Sequence, residues 1–234
     1  MASRVDEMVQ LDQFDVPAAL LAAPGVQLAD LIGEHGAASV DDMLGPPPTD
    51  GWRVIAGDLG APHLHPPTLA APWTNRDPNK WMILGVYRLD GQWQSIVNGT
   101  GSVARPGRAS RRAGLALEWA ESPTVAPVRT VPALRLRLRN AGDSRWHADG
   151  LDSDHVQVWA LGPDGERLRV DHSAWAGIGT PVAILPSLDP GAAVELNATW
   201  QPRSVEELPA GDYALKAELS DLGLLCSPGV LWLR

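Results

Sequence analysis

Apolar and polar residues alternate with a period of two through most of the second half of this chain. Leu115-Ala-Leu-Glu-Trp119 alternates, Leu134-Arg-Leu-Arg-Leu-Arg-Asn140 does so more strictly, and Val156-Gln-Val-Trp-Ala-Leu161 runs into the turn Gly162-Pro-Asp-Gly165. Arg167-Leu-Arg-Val170, Val194-Glu-Leu-Asn-Ala-Thr-Trp200, Tyr213-Ala-Leu-Lys-Ala-Glu-Leu219 and Val230-Leu-Trp-Leu233 follow. Successive side chains of a strand point to opposite faces, so the pattern predicts short strands with one face buried. About seven such strands with Gly, Pro or Asp turns between them predict an antiparallel β-sandwich over residues 111–234. Leu134, Leu136, Leu138, Val194, Leu196, Trp200, Tyr213, Leu215, Ala217 and Leu219 are its predicted inward residues, with Pro190-Gly191 turning the chain into the Trp200 strand.

The first half is patterned differently. Trp81-Met-Ile-Leu-Gly-Val-Tyr-Arg-Leu89, then Asp90-Gly91, then Gln92-Trp-Gln-Ser-Ile-Val97 predicts a β-hairpin, because Asp-Gly accepts the positive φ angles of a tight turn. Ser39-Val-Asp-Asp-Met-Leu-Gly45 carries an N-capping Ser, acidic residues in the first turn and a closing Gly, which predicts a short helix. Pro17 to Leu21 and Val26 to Ile32 supply further helical turns, so residues 1–45 read as a helical leader. Pro46, Pro47, Pro48, Pro62, Pro66, Pro67, Pro72 and Pro78 then predict an extended arm in which only Trp52-Arg-Val-Ile-Ala is strand-like. The expected organisation is therefore mainly β: leader 1–45, Pro-rich arm and hairpin 46–110, sandwich 111–234.

Charge narrows the partners. The formal net charge of -9 would repel polyphosphate and anionic lipid, which argues against nucleic acid and membrane surfaces. The alternating Arg135, Arg137 and Arg139 read as a solvated outer face. A single cysteine, Cys226, rules out an intramolecular disulfide, and the acidic start with Asp6, Glu7, Asp12 and Asp15 is unlike a secretory signal. A cytoplasmic protein is expected. Ten Trp against one Phe and two Tyr is an unusual aromatic balance, open to two readings: core packing, or an exposed binding platform.

Leu136-Arg-Leu-Arg-Asn140-Ala-Gly142, Leu188-Asp-Pro190-Gly191 with the strand to Trp200, and Leu208-Pro-Ala-Gly211-Asp-Tyr213 together resemble the frame of bacterial immunoglobulin-like domains. Over residues 130–234 the frame is similar to the bacterial intracellular proteinase inhibitor domain, and Asn140-x-Gly142 with Trp146 and Trp232 is similar to the four-tryptophan domain of autophagy receptors. Leu136 and Ala217 stand where the second family would place tryptophans, and the segment after the hairpin lacks the tryptophan pattern of the first. The resemblance implies an immunoglobulin-like sandwich and, through the first family, regulation of a partner enzyme such as a protease.

No convergent nucleophile, base and orienter stands out. His63-Leu-His65 would place both imidazoles on one side of an extended strand, with His172 or Asp171 as a distant third metal ligand, against the plainer reading of surface histidines. Asp152-Ser-Asp-His155 reads as a polar turn before the strand at Val156. The expected function is a non-enzymatic protein-binding module without a cofactor, contacting another protein through loop 171–186. Trp175, His172 and Trp146 are its candidate contact residues. A carbohydrate-binding role resting on the tryptophans, and a subunit of a larger assembly reached by the arm, are the alternatives.

Overall fold

The computed structural model describes residues 7–44, 47–73, 79–97, 101–128, 130, 132–161, 183–199 and 209–234. The chain is mainly β and divides into two compact units, Met1–Arg108 and Ala109–Arg234. Among the described residues no helix is long and apolar enough to cross a membrane.

The N-terminal unit opens on strands where a helical leader was expected. β1 (Met8–Leu11) and β2 (Phe14–Pro17) pair antiparallel with Leu11 opposite Phe14. Asp12 turns the chain at φ 56°, a conformation its short polar side chain tolerates. Leu11 and Val16 are fully buried, and that burial favours the hairpin over a helix. Helix begins only at α1 (Ala18–Ala22) and α2 (Leu28–Leu44), and α2 breaks at Gly33, where φ 75° and ψ 162° leave the helical region. Ser39 lies inside α2 and does not cap its start.

The main sheet of this unit runs β3 (Arg53–Ala56), β4 (Thr68–Pro72), β5 (Lys80–Leu89), β6 (Gln92–Val97), all antiparallel. The short β7 (Ser102–Val103) pairs with β5, and β8 (Arg105–Pro106) with β1. One face packs Leu69, Ala71, Met82, Leu84 and Val86 with Trp52, Trp73 and the α2 residues Leu28 and Ile32. The other packs Ala70 and Ile83 with Leu11 and Val16. Cover on both faces explains why Trp81 to Val86 is an unbroken apolar run and does not alternate. The predicted turn is present, with Asp90 at φ 51° and Gly91 at φ 78°.

The Pro-rich arm is more regular than expected. Pro66 and Pro67 precede β4 and Pro72 ends it, so the prolines leave the ladder inside the strand intact. The connection between β3 and β4 folds into turns, closed by Asp58 N–H donating to the His65 carbonyl at 3.0 Å. At Gly57 a Cβ would collide with the Pro66 carbonyl oxygen, so only glycine allows the approach.

The C-terminal unit is built from β9 (Leu115–Trp119), β10 (Thr124–Ala126), β11 (Leu134–Asn140), β12 (Val156–Leu161), β13 (Ala193–Thr199), β14 (Gly211–Leu219), β15 (Leu224–Leu225) and β16 (Gly229–Leu233). β9-β11-β13 form one antiparallel half and β12-β14-β16 the other. A short parallel contact, Val156 with Ala198 and Gln157 with Thr199, joins the halves, and β10 lies parallel to β16 at the far edge. Leu117, Leu134, Leu136, Leu138 and Leu196 from the first half share one core with Val156, Val158, Leu215, Ala217, Leu219, Leu231 and Leu233 from the second. Each large side chain so buried contributes about 1.5–3 kcal/mol.

Gly191, at φ 77°, completes the turn into β13. Tyr213 is half-buried against the core and its hydroxyl donates to the Pro209 carbonyl at 2.9 Å. Trp200 and the strand expected at 167–170 lie outside the described residues.

Candidate functional site

The two halves of the C-terminal unit share a core but present opposite kinds of outer face. On β11 the outward residues are Arg135, Arg137 and Arg139, as their alternation predicted. Arg135 meets Glu121 at 2.6 Å, Arg139 meets Glu118 at 3.1 Å, and Arg135 and Arg137 approach Glu195 at 3.8 and 3.9 Å. All these side chains are more than 40% exposed, so each pair adds little beyond keeping the face wet.

The outer face of β10-β16-β14-β12 carries exposed apolar residues beside the charged Asp212, Lys216, Glu218 and Arg234. Register sets Val125 beside Trp232 and Trp232 beside Asp212; in the next row Val230, Ala214 and Leu161 are neighbours. Trp159 lies beside Lys216 one row further. Val125 is 62% exposed, Val230 39% and Trp232 38%, and Ala214 is also exposed. Arg234 ties the rim, with its guanidinium 5.7 Å from the Trp232 ring and an ion pair to Asp212. A sheet with one face in its core ordinarily presents a polar second face, so apolar residues on both sides of β12 and β16 need an explanation.

Trp175 and His172, with the whole stretch from Asp171 to Val182, lie outside the described residues. Trp146 is 7% exposed, packs in the core and spends its indole N–H on the Arg111 carbonyl at 2.6 Å. Its role here is packing. His63 and His65 are exposed in the turns between β3 and β4, not on an extended strand, so the alternation that would align their imidazoles does not apply. Among the described residues no three His, Cys, Asp or Glu side chains are grouped to hold a metal.

Other tryptophans divide the same way. Trp52 is fully buried with its indole donating to the Pro48 carbonyl at 2.6 Å, and Trp119 donates to the Ser227 carbonyl at 2.8 Å. Trp81 and Trp93 are stacked by Arg53 and Arg88 at 5.0 and 5.4 Å. Trp232 is the most exposed of the described tryptophans.

Asp152-Ser-Asp-His155 is a tie between loops. Asp152, 1% exposed, is paired with the buried Arg111; Ser153 donates from its backbone and hydroxyl to Asp221 at 2.8 and 2.5 Å. Asp154 accepts from the Ala183 N–H at 2.8 Å. A cleft of about 420 Å³ beside this tie is lined by Arg111, Asn140, Gly142, Arg145, Trp146 and His147. Asn140 donates to the Ser144 and Leu188 carbonyls and accepts from Gly142, and Arg145 pairs with Asp189 at 2.9 Å, so these groups serve the loop itself. Cys226 is buried, and burial pushes its thiol up to about 11, leaving it protonated at neutral pH.

The apolar face was legible in principle, for Val156-Gln-Val-Trp-Ala-Leu161 and Gly229-Val-Leu-Trp-Leu233 carry apolar residues in both alternate sets. Compared with protein-family models, curated proteins and solved structures, the chain matches none.

Proposed function

We propose that this chain is a protein-binding module whose C-terminal unit is an immunoglobulin-like sandwich that docks a protein partner on the outer face around Trp232. The observation that carries it is the contrast between the two outer faces of one unit. Arg135, Arg137 and Arg139 with their Glu partners keep one face hydrated, whereas Val125, Val230, Trp232 and Ala214 leave an apolar surface on the other. A partly exposed Trp with an Arg stacked on it has the composition of an interface hot spot. The tyrosine bond from Tyr213 to Pro209, at the start of a strand that follows a Gly, supports the immunoglobulin-like assignment. A cytoplasmic setting fits the single cysteine, which is free and buried.

The test is photo-crosslinking in the source cells. A crosslinking amino acid at position 125 should capture a protein, and the same residue at position 137 on the charged face should not. Trp232→Glu should abolish the capture from 125 while the purified variant keeps the far-ultraviolet circular dichroism of the parent. Equal capture from both positions, or none from 125, refutes the assignment of the face.

A further inference from the structure

We infer that the partner seated on this face is a second copy of the same chain, placed by a two-fold axis that crosses β14 at Ala214. This rests on the docking face proposed above and adds its occupant.

Charge selects the occupant. Two copies of a chain at -9 repel one another, so they can meet only where charge is locally balanced. The outer face carries Asp212, Lys216, Glu218 and Arg234, two of each sign, on β14 and at the end of β16. Their arrangement is self-complementary as well as neutral. Asp212, Ala214 and Lys216 share the outward side of β14, with Ala214 midway between the charges. A two-fold axis perpendicular to the strand at Ala214 runs the second β14 in the opposite direction. Asp212 of each copy then faces Lys216 of the other, and the pair is made twice, as an isologous contact requires. Lys216 is exposed on one side of Ala214, and Asp212, which also pairs with Arg234 at the rim, is exposed on the other.

The centre fits the same placement. Ala214, between Val230 and Leu161 in its row, is small enough for the two sheets to approach, while Trp232 and Val125 stand in the next row. Sheets packed face to face lie about 10 Å apart, a gap that an indole from each side helps to fill.

The experiment is sedimentation velocity on the full chain over a range of concentrations, with Asp212→Lys, Lys216→Asp, and an equimolar mixture of the two. Circular dichroism confirms that each variant is folded. The parent should form dimers. In a symmetric dimer one substitution creates two like-charge contacts, so each variant alone should dimerise at least about tenfold more weakly. The mixture should recover dimers, because every Lys then meets an Asp. A parent that stays monomeric, variants that dimerise as the parent does, or a mixture that stays monomeric overturns the inference. Capture of a different protein from position 125 by a monomeric chain would overturn self-association while leaving the docking face in place; no capture at all would remove both.

Discussion

Replacing Asp152 by Ala should be among the most destabilising single changes in the C-terminal unit. Arg111 and Asp152 are 8% and 1% exposed and share an ion pair, with Asp149 3.6 Å from the same guanidinium nitrogen and the Asp221 carbonyl accepting from the other at 2.9 Å. Removing the carboxylate leaves a guanidinium buried beside one acid that is about a quarter exposed, and breaking such a pair costs about 3–5 kcal/mol. The remaining Asp149 and Asp221 contacts place the expected loss near 3 kcal/mol, the low end of that range. Urea denaturation followed by tryptophan fluorescence would read it as a midpoint about 1–3 M lower. Glu118→Ala breaks the exposed pair with Arg139 and should cost no more than about 1 kcal/mol. Arg111→Met with Asp152→Leu should recover most of the loss, because apolar residues of similar volume replace the charges without leaving one unpaired. If Asp152→Ala and Glu118→Ala shift the midpoint equally, the Arg111 pair is not buried in the folded protein and the reasoning fails.

Tyr213→Phe keeps the ring against the core and removes only the hydroxyl bond to Pro209, so a loss of about 0.5–1.5 kcal/mol is expected in the same assay, and a neutral result would show that the bond is absent in solution. Cys226 gives a pH dependence: burial raises its thiol from 9.0 to about 11, with the nearby Glu118 charge adding to the rise and a Trp119 backbone contact opposing it. The folded state favours the neutral thiol, so its contribution is full below pH 9 and is lost as pH rises through about 11. Stability of the parent should therefore fall more steeply than that of Cys226→Ala between these values, and parallel curves would refute the burial.

Local rules carried much of the fold. Strict alternation in Leu134–Asn140 and the turn residues Asp90-Gly91 and Pro190-Gly191 all correspond to elements found where they were expected. The N-terminal hairpin escaped because β1 and β2 are four residues each, too short for a periodicity to outweigh the neighbouring helical signal. The arm escaped because a proline density says nothing about which prolines stand at strand ends. The candidate site was less legible, since the choice of Trp146 followed residue type, and residue type does not set exposure.

Residue pattern alone was enough for the mainly β class, the two-residue turns and the hydrated face of β11, because each depends on neighbours one to four positions apart. Which apolar residues remain outside was left to the folded contacts. Trp146 and Trp232 are alike as residues; one is enclosed because β-bridge pairing with Leu188 draws it under the loops, and the other stands out because its neighbours Leu231 and Leu233 take the core side of β16. Burial is a property of which strands meet across a core, and contacts between residues far apart in the chain set it.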